Sequence, residues 1–264
     1  MTRIYIEGIG LLGPGLGSWP QARDVLSGRV SYQHAPTALA PSELLPAAER
    51  RRASAPVNLA LTVGREAFAA AGRDPAGTAA VFASAEGDSE ILHRMCEALA
   101  STPREVSPTS FLNSVHNAPA GYWSIATKCR EPLTSLCAYD GTFAAGLLEA
   151  AVQANAEQRA VALICYDQPY PEPLAAARPV KEKFALALLV TPAPSERAHA
   201  ALELQCAASH APETAMDDPG LEALRASNPA ARSLPVLGAL ARGQAMEVAL
   251  PYLEDNQLMV RVAP

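Results

Sequence analysis

The stretch NAPAGYWSIATKCREPLTSLCAYDGTFAAGLLEAA, running from Asn117 to Ala151, decides how this chain is read. After Pro132 the run TSLCAY is apolar enough for a buried strand, and Asp140-Gly141 then breaks it. From Gly141 to Gln158 the chain is rich in alanine and reads as one long helix, whose small residues let it lie close against a sheet or a second helix. Strand, tight bend and helix follow one another with no spacer.

Outward from that unit, strands and helices alternate. Arg3 to Leu12 is β-branched and apolar and breaks at Gly13-Pro14-Gly15-Leu16-Gly17, as a strand entering a turn does. Trp19 to Gly28 repeats apolar residues at three and four, and Val57 to Gly72 is a second helix with Gly72 as its stop. Gln33 to Pro56 reads as an irregular excursion and Ala79 to Ala83 as a buried strand. Asp88 or Ser89 caps a helix ending at Ala100, and Ser101 to Ser114 is a loop. Downstream, Arg159 to Cys165 and Phe184 to Thr191 are continuous apolar strands, of the kind found in a sheet covered on both faces. The final third predicts an edge strand at Ala200–Ala207, helices at Pro219–Ala226 and Leu234–Gly243, and a last strand at Gln257–Val262. This alternation is that of an α/β layer protein.

The Asn117–Ala151 block resembles the segment of β-ketoacyl synthases that runs into the nucleophile elbow. Ala120-Gly121 with Ser124-Ile125, Pro132, and Glu149-Ala150-Ala151 each fall on a family landmark. Arg3–Arg29 is similar to the family's opening strand, turn and helix, and Ala79–Asp88 to its second strand and loop. The likeness covers roughly the first two thirds of the chain, to Pro192. It implies a thiolase-like half: a mixed, mostly parallel five-stranded sheet covered by helices, with a shortened C-terminal part. The expected organisation is a single domain over residues 1–264, with 1–192 as the recognisable half and 193–264 as a reduced extension ending in a strand.

In that register Asp140 stands where the family carries its nucleophilic cysteine. Condensation needs a soft thiolate to hold the acyl chain as a thioester, and a carboxylate offers only a reactive anhydride. The family also uses two histidines, one in an HGT-like motif, to polarise the thioester carbonyl. His34, His93, His116, His199 and His210 lie in no such motif, and the tail is too brief for a second thiolase half. No catalytic residue, metal ligand or cofactor is therefore expected.

Composition narrows the field further. A 264-residue chain with 18% charged and 49% hydrophobic residues can bury a full core, and its net charge of −6 argues against a nucleic-acid partner. Arg50-Arg51-Arg52 reads as a solvated loop or helix end. Five cysteines without CxxC spacing, an N-terminus entering directly into a strand, and no membrane-length apolar run predict a reduced, cytoplasmic protein.

Several residues have competing readings. Gly8, Gly10 and Gly13 spell GxGxxG, but Pro14 follows and no acidic residue ends a second strand about 20 positions on. A structural turn is the simpler reading. Cys137 is the rival nucleophile in a shifted elbow, or a buried structural cysteine. Asp140 is either a catalytic base, though no paired carboxylate or histidine is adjacent in sequence, or the N-cap of the following helix. Tyr122 and Trp123 are core packing or interface, and Asn117 and His116 stand beside them in the densest polar and aromatic cluster.

The resemblance implies a non-catalytic, chain-length-factor-type subunit of type II polyketide or aryl polyene systems. Its expected partner is a complete β-ketoacyl synthase in a heterodimer, with acyl carrier protein reached through the complex. Phe111, Val115, His116, Asn117, Tyr122, Trp123, Asp140 and Phe143 are the expected tunnel or interface residues. The alternatives are an acyltransferase or thiolase-like enzyme using Cys137, and a homodimeric module binding acyl chains or carrier protein.

Overall fold

A computed structural model describes residues 1–208 and 211–263; His210 of the sequence reading lies outside them. Eight strands are present among these residues: β1 Thr2–Leu12, β2 Ala79–Ala83, β3 Leu133–Leu136, β4 Val161–Asp167, β5 Phe184–Thr191, β6 Ala200–Ala208, β7 Met246–Leu253 and β8 Asn256–Ala263. They form one sheet in the order β3-β2-β4-β5-β1-β6-β8-β7. Only β2 with β3 and β2 with β4 are parallel. The other pairs are antiparallel. The sheet is therefore mixed, as expected, but it has eight strands rather than five and is mostly antiparallel. Two features of the C-terminal region account for the extra strands: β6 lies inside the sheet between β1 and β8 rather than at an edge, and β7 and β8 form a hairpin.

Ten helices flank the sheet in the described chain: α1 Trp19–Leu26, α2 Ala47–Arg52, α3 Ala55–Ala71, α4 Ser89–Ala100, α5 Pro108–Asn113, α6 Ala118–Thr127, α7 Thr142–Glu157, α8 Leu174–Ala177, α9 Pro219–Ser227 and α10 Leu234–Arg242. Short α2 and α5 occupy stretches expected to be irregular. Asp88 caps α4 by accepting from the Ile91 amide at 3.1 Å. Gly72 closes α3 at φ 60°, where a side chain would be strained.

The strand period of two sorts the core into layers. On one face Phe82, Ile164, Ala187 and Leu189 pack with α3 and α6; on the other, Val81, Leu163, Leu186 and Leu188 pack with α7 and the C-terminal helices. Gly8 and Gly10 lie inside β1 rather than in a turn. A Cβ on Gly8 would meet the Ala67 carbonyl oxygen at 2.2 Å, and one on Gly10 the Val63 oxygen at 2.0 Å, so both glycines exist to let α3 sit down on the strand. No described helix is long and apolar enough to cross a membrane.

Candidate functional site

Because β2, β3 and β4 run parallel, their carboxyl ends open on the same side of the sheet, where α/β proteins place their sites. The β3 end bends sharply at Ala138–Gly141. Tyr139 takes the left-handed conformation there, with φ 51°, and stands exposed. The tip of the bend is therefore Tyr139, with Asp140 the next residue along. Thr142 fixes the bend: its hydroxyl donates to the Tyr139 carbonyl at 2.7 Å and accepts from the Ala138 amide at 3.0 Å.

Asp140 does not cap α7. The N-cap position is Gly141, and no side chain bonds the first turn. The Asp140 carboxylate turns instead to Arg178, which donates to Oδ1 at 2.7 Å, and to Arg232, 3.5 Å from Oδ2. The same Arg178 guanidinium lies 3.5 Å from the centre of the Tyr139 ring. Arg232 and Arg225 both pair with Glu213, so the bend is tied to the C-terminal region by a chain of charges. Gly141 is required by contact: a Cβ there would meet the Tyr252 carbonyl oxygen of β7 at 2.3 Å.

Behind the bend lies a second polar group. Asp167, buried at the end of β4, accepts from Ser84 at 3.1 Å and from the amides of Ala85 and Ala230 at 2.8 and 3.0 Å. Burial pushes its carboxyl up to about 7 against those hydrogen bonds. Burial likewise pushes Glu86 up to about 8; the Ser89 hydroxyl opposes the shift, and the nearby Asp167 and Asp88 charges add to it. Arg178 lowers both, so it is the cation facing this cluster as well.

The other expected residues divide. Trp123 is wholly buried, 5.5 Å from Phe68 and 6.3 Å from Phe82 between ring centres, and Phe143 is a buried residue of the first turn of α7. Tyr122 is half-buried and Asn117 precedes α6. The His116 ring nitrogen Nε2 sits 3.0 Å from the Ser84 carbonyl, which brings this residue to the β2 end. Phe111 and Val115 are exposed. A recess of about 410 Å³ beside the bend is lined by Tyr139, Asp140, Arg178, Lys181, Ser227 and Pro229 among others, and not by Phe111, Val115, His116 or Asn117. Cys137 is exposed, and among the described residues no hydrogen bond joins it to a histidine. His34 pairs with Glu182 and His93 with Glu97, and neither bonds a residue of the bend. Arg50, Arg51 and Arg52 form the last turn of α2, as expected of a helix end; Arg51 and Arg52 are exposed, and Arg50 folds back onto the Leu45 carbonyl at 3.0 Å. No group of three or more His, Cys, Asp or Glu among the described residues is arranged to hold a metal.

Arg178, Tyr139, Glu86 and Asp167 were not singled out by sequence. The signal for Asp167 was available, since a carboxylate closing the apolar strand Val161–Tyr166 needs a buried polar partner. Nothing in the proline-rich run around Arg178 marks its partner.

The family model described as beta-ketoacyl synthase, N-terminal domain, matches residues 19–251, past the Pro192 limit of the motif likeness. Among solved structures, a chain of the complex described as ketosynthase (ApeO) with its chain length factor (ApeC) from Xenorhabdus doucetiae superposes with TM-score 0.73 at 22% identity, covering 99% of each chain. A chain of the ishigamide ketosynthase/chain length factor gives TM-score 0.75 at 13% identity, again over 99% of each. A β-ketoacyl synthase from Burkholderia phymatum STM815 gives 0.61 at 16%, over 86% of this chain and 70% of that one. At these identities the likeness establishes a shared fold. No curated protein matches.

Proposed function

The chain belongs to the beta-ketoacyl synthase, N-terminal domain family, and on that basis we propose that it is a non-catalytic, chain-length-factor-type subunit. It pairs with a complete β-ketoacyl synthase and helps shape the space into which that partner's acyl chain grows, in polyketide, aryl polyene or related biosynthesis. The carrying observation is the occupied bend. Where the register expects a thiolate, Asp140 is held by Arg178 at 2.7 Å, and the same arginine covers Tyr139. A carboxylate neutralised in this way is a poor nucleophile, and no thiol stands at the tip.

Assembly is supported by the surface around β3. This strand is an edge of the sheet, hydrogen-bonded only to β2, and is half-buried along its length. Ile125 of α6, Val152 of α7, Tyr139 and Val115 are all exposed apolar or aromatic residues. Gln153 of α7 bonds Thr134 of β3 at 3.0 Å, which sets the Val152 helix directly beside that edge. An unpaired edge flanked by apolar residues is the arrangement that a pseudo-twofold partner would cover.

The test is co-expression with the complete β-ketoacyl synthase that this reading expects in a neighbouring reading frame. The expected outcome is a co-purifying complex that takes up acyl groups only on the partner's cysteine. Acylation of this chain when purified alone, or no complex at all, would overturn the reading.

A further inference from the structure

Helix α4 is amphipathic and only half covered. Its apolar residues Ile91, Leu92, Met95 and Leu99 recur at helical spacing, while Glu90, Arg94 and Glu97 take the opposite side. Ile91 is buried against the body, yet Leu92 is 55% and Leu99 52% exposed. An amphipathic helix of this kind normally buries its whole stripe. The neighbouring helix repeats the pattern: α4 packs against α5, where Phe111 is 63% and Leu112 69% exposed. Four large apolar side chains on two adjoining helices thus face outward.

We infer that the uncovered side of α4, with Phe111 and Leu112 of α5, is a docking face for the partner synthase, continuous with the β3 edge. This rests on the heterodimer proposed above and adds a surface to it. The argument is one of area. A stable interface takes roughly 20–30 residues from each side, whereas β3 contributes only the four residues Leu133–Leu136. An edge about 13 Å long cannot hold two chains together, so the remainder must come from apolar surface nearby. Val115 leads from α5 to α6, which packs on β3 and carries the exposed Ile125, so the chain runs from the α4–α5 face to that edge.

Leu92→Asp combined with Leu99→Asp tests this, with Glu90→Ala on the polar side of α4 as control. Both leucines are exposed, so the variant is expected to keep the native circular dichroism spectrum. Titration against the purified synthase should show binding by the double variant weakened about 30-fold or more, the loss expected when two anchoring leucines leave an interface, with Glu90→Ala unchanged. Hydrogen exchange of the α4 amides in the wild-type complex should slow against the free chain. If the wild-type chain binds and the double variant binds equally well, the α4 face is overturned while the heterodimer stands. If the wild-type chain fails to bind, the heterodimer itself falls and the docking face with it.

Discussion

The Arg178 guanidinium stands 3.5 Å from the centre of the Tyr139 ring, covering the residue at the tip of the bend. One planar cation thereby serves two neighbours, stacking on Tyr139 and bonding Asp140 at 2.7 Å. Together these contacts should contribute about 1–2 kcal/mol, the sum expected of a partly buried cation–π contact and a half-exposed ion pair. Urea unfolding of Arg178→Ala should show that loss. Arg178→Lys should recover less than half of it, because an ammonium keeps the charge without the flat stacking surface. Equal stability of all three proteins would show that the stack does not hold the bend.

Restoring a thiol should not restore chemistry. In Asp140→Cys the new side chain would sit one residue past the tip, with no described histidine bonded to the bend and with Arg178 still stacked on Tyr139. A positive neighbour lowers a thiol pKa, so the variant should alkylate readily with iodoacetamide. It should still take no acyl group from acyl carrier protein, as read by mass spectrometry. Stoichiometric acylation at the introduced thiol would mean that the site retains more machinery than the bend suggests.

The parts legible in the sequence were those whose local pattern and tertiary role agree. Phe184–Thr191 and Ala79–Ala83 are strands with the bounds their apolar runs predict, and α3 ends at Gly72 as its glycine requires. Strand β7 was missed because Pro251 interrupts it. The proline is tolerated because β7 is an edge strand with a register shift beside that residue. Strand direction was misjudged for a different reason: continuous apolar runs report burial on both faces, and antiparallel strands inside a covered sheet show the same run. At the site, sequence located the bend but not its chemistry. Arg178 reaches Asp140 across 38 positions, and no local pattern encodes that meeting.

Gly141 should be the least replaceable glycine of the site. An added methyl would lie 2.3 Å from the Tyr252 carbonyl oxygen, a backbone atom that moves only with β7. Gly141→Ala should therefore cost about 1–3 kcal/mol, as overpacking does, and should separate the bend from the C-terminal hairpin. Gly121 provides the contrast: it is exposed on α6 with nothing within 4 Å of an added Cβ. There alanine should stabilise by about 0.5–1 kcal/mol through helix propensity. Thermal melts of the two variants should move in opposite directions.

The buried carboxyls behind the bend set a pH dependence of definite sign. Burial raises Glu86 from 4.5 to about 8 and Asp167 from 3.8 to about 7. Between those limits the folded chain holds protons that the unfolded chain has released, so folding takes up protons and stability falls as pH rises. This contribution is complete below about pH 4 and lost through pH 7–8. Glu7 acts oppositely: Arg73 holds its carboxyl low, and that contribution disappears only in acid. Melting temperature should therefore be highest near pH 4, where the unfolded carboxyls titrate, and drop by about 3 °C or more towards pH 8.5. Glu86→Gln copies the protonated form, keeping an oxygen for the Ser89 hydroxyl, which bonds Glu86 Oε1 at 2.8 Å. It should flatten the alkaline slope while leaving the acid limb, set by Glu7, in place. A variant whose melting temperature falls in parallel with the wild type between pH 6 and 8.5 would show that Glu86 is already ionised in the folded chain, and that the cluster carries more charge than its burial implies.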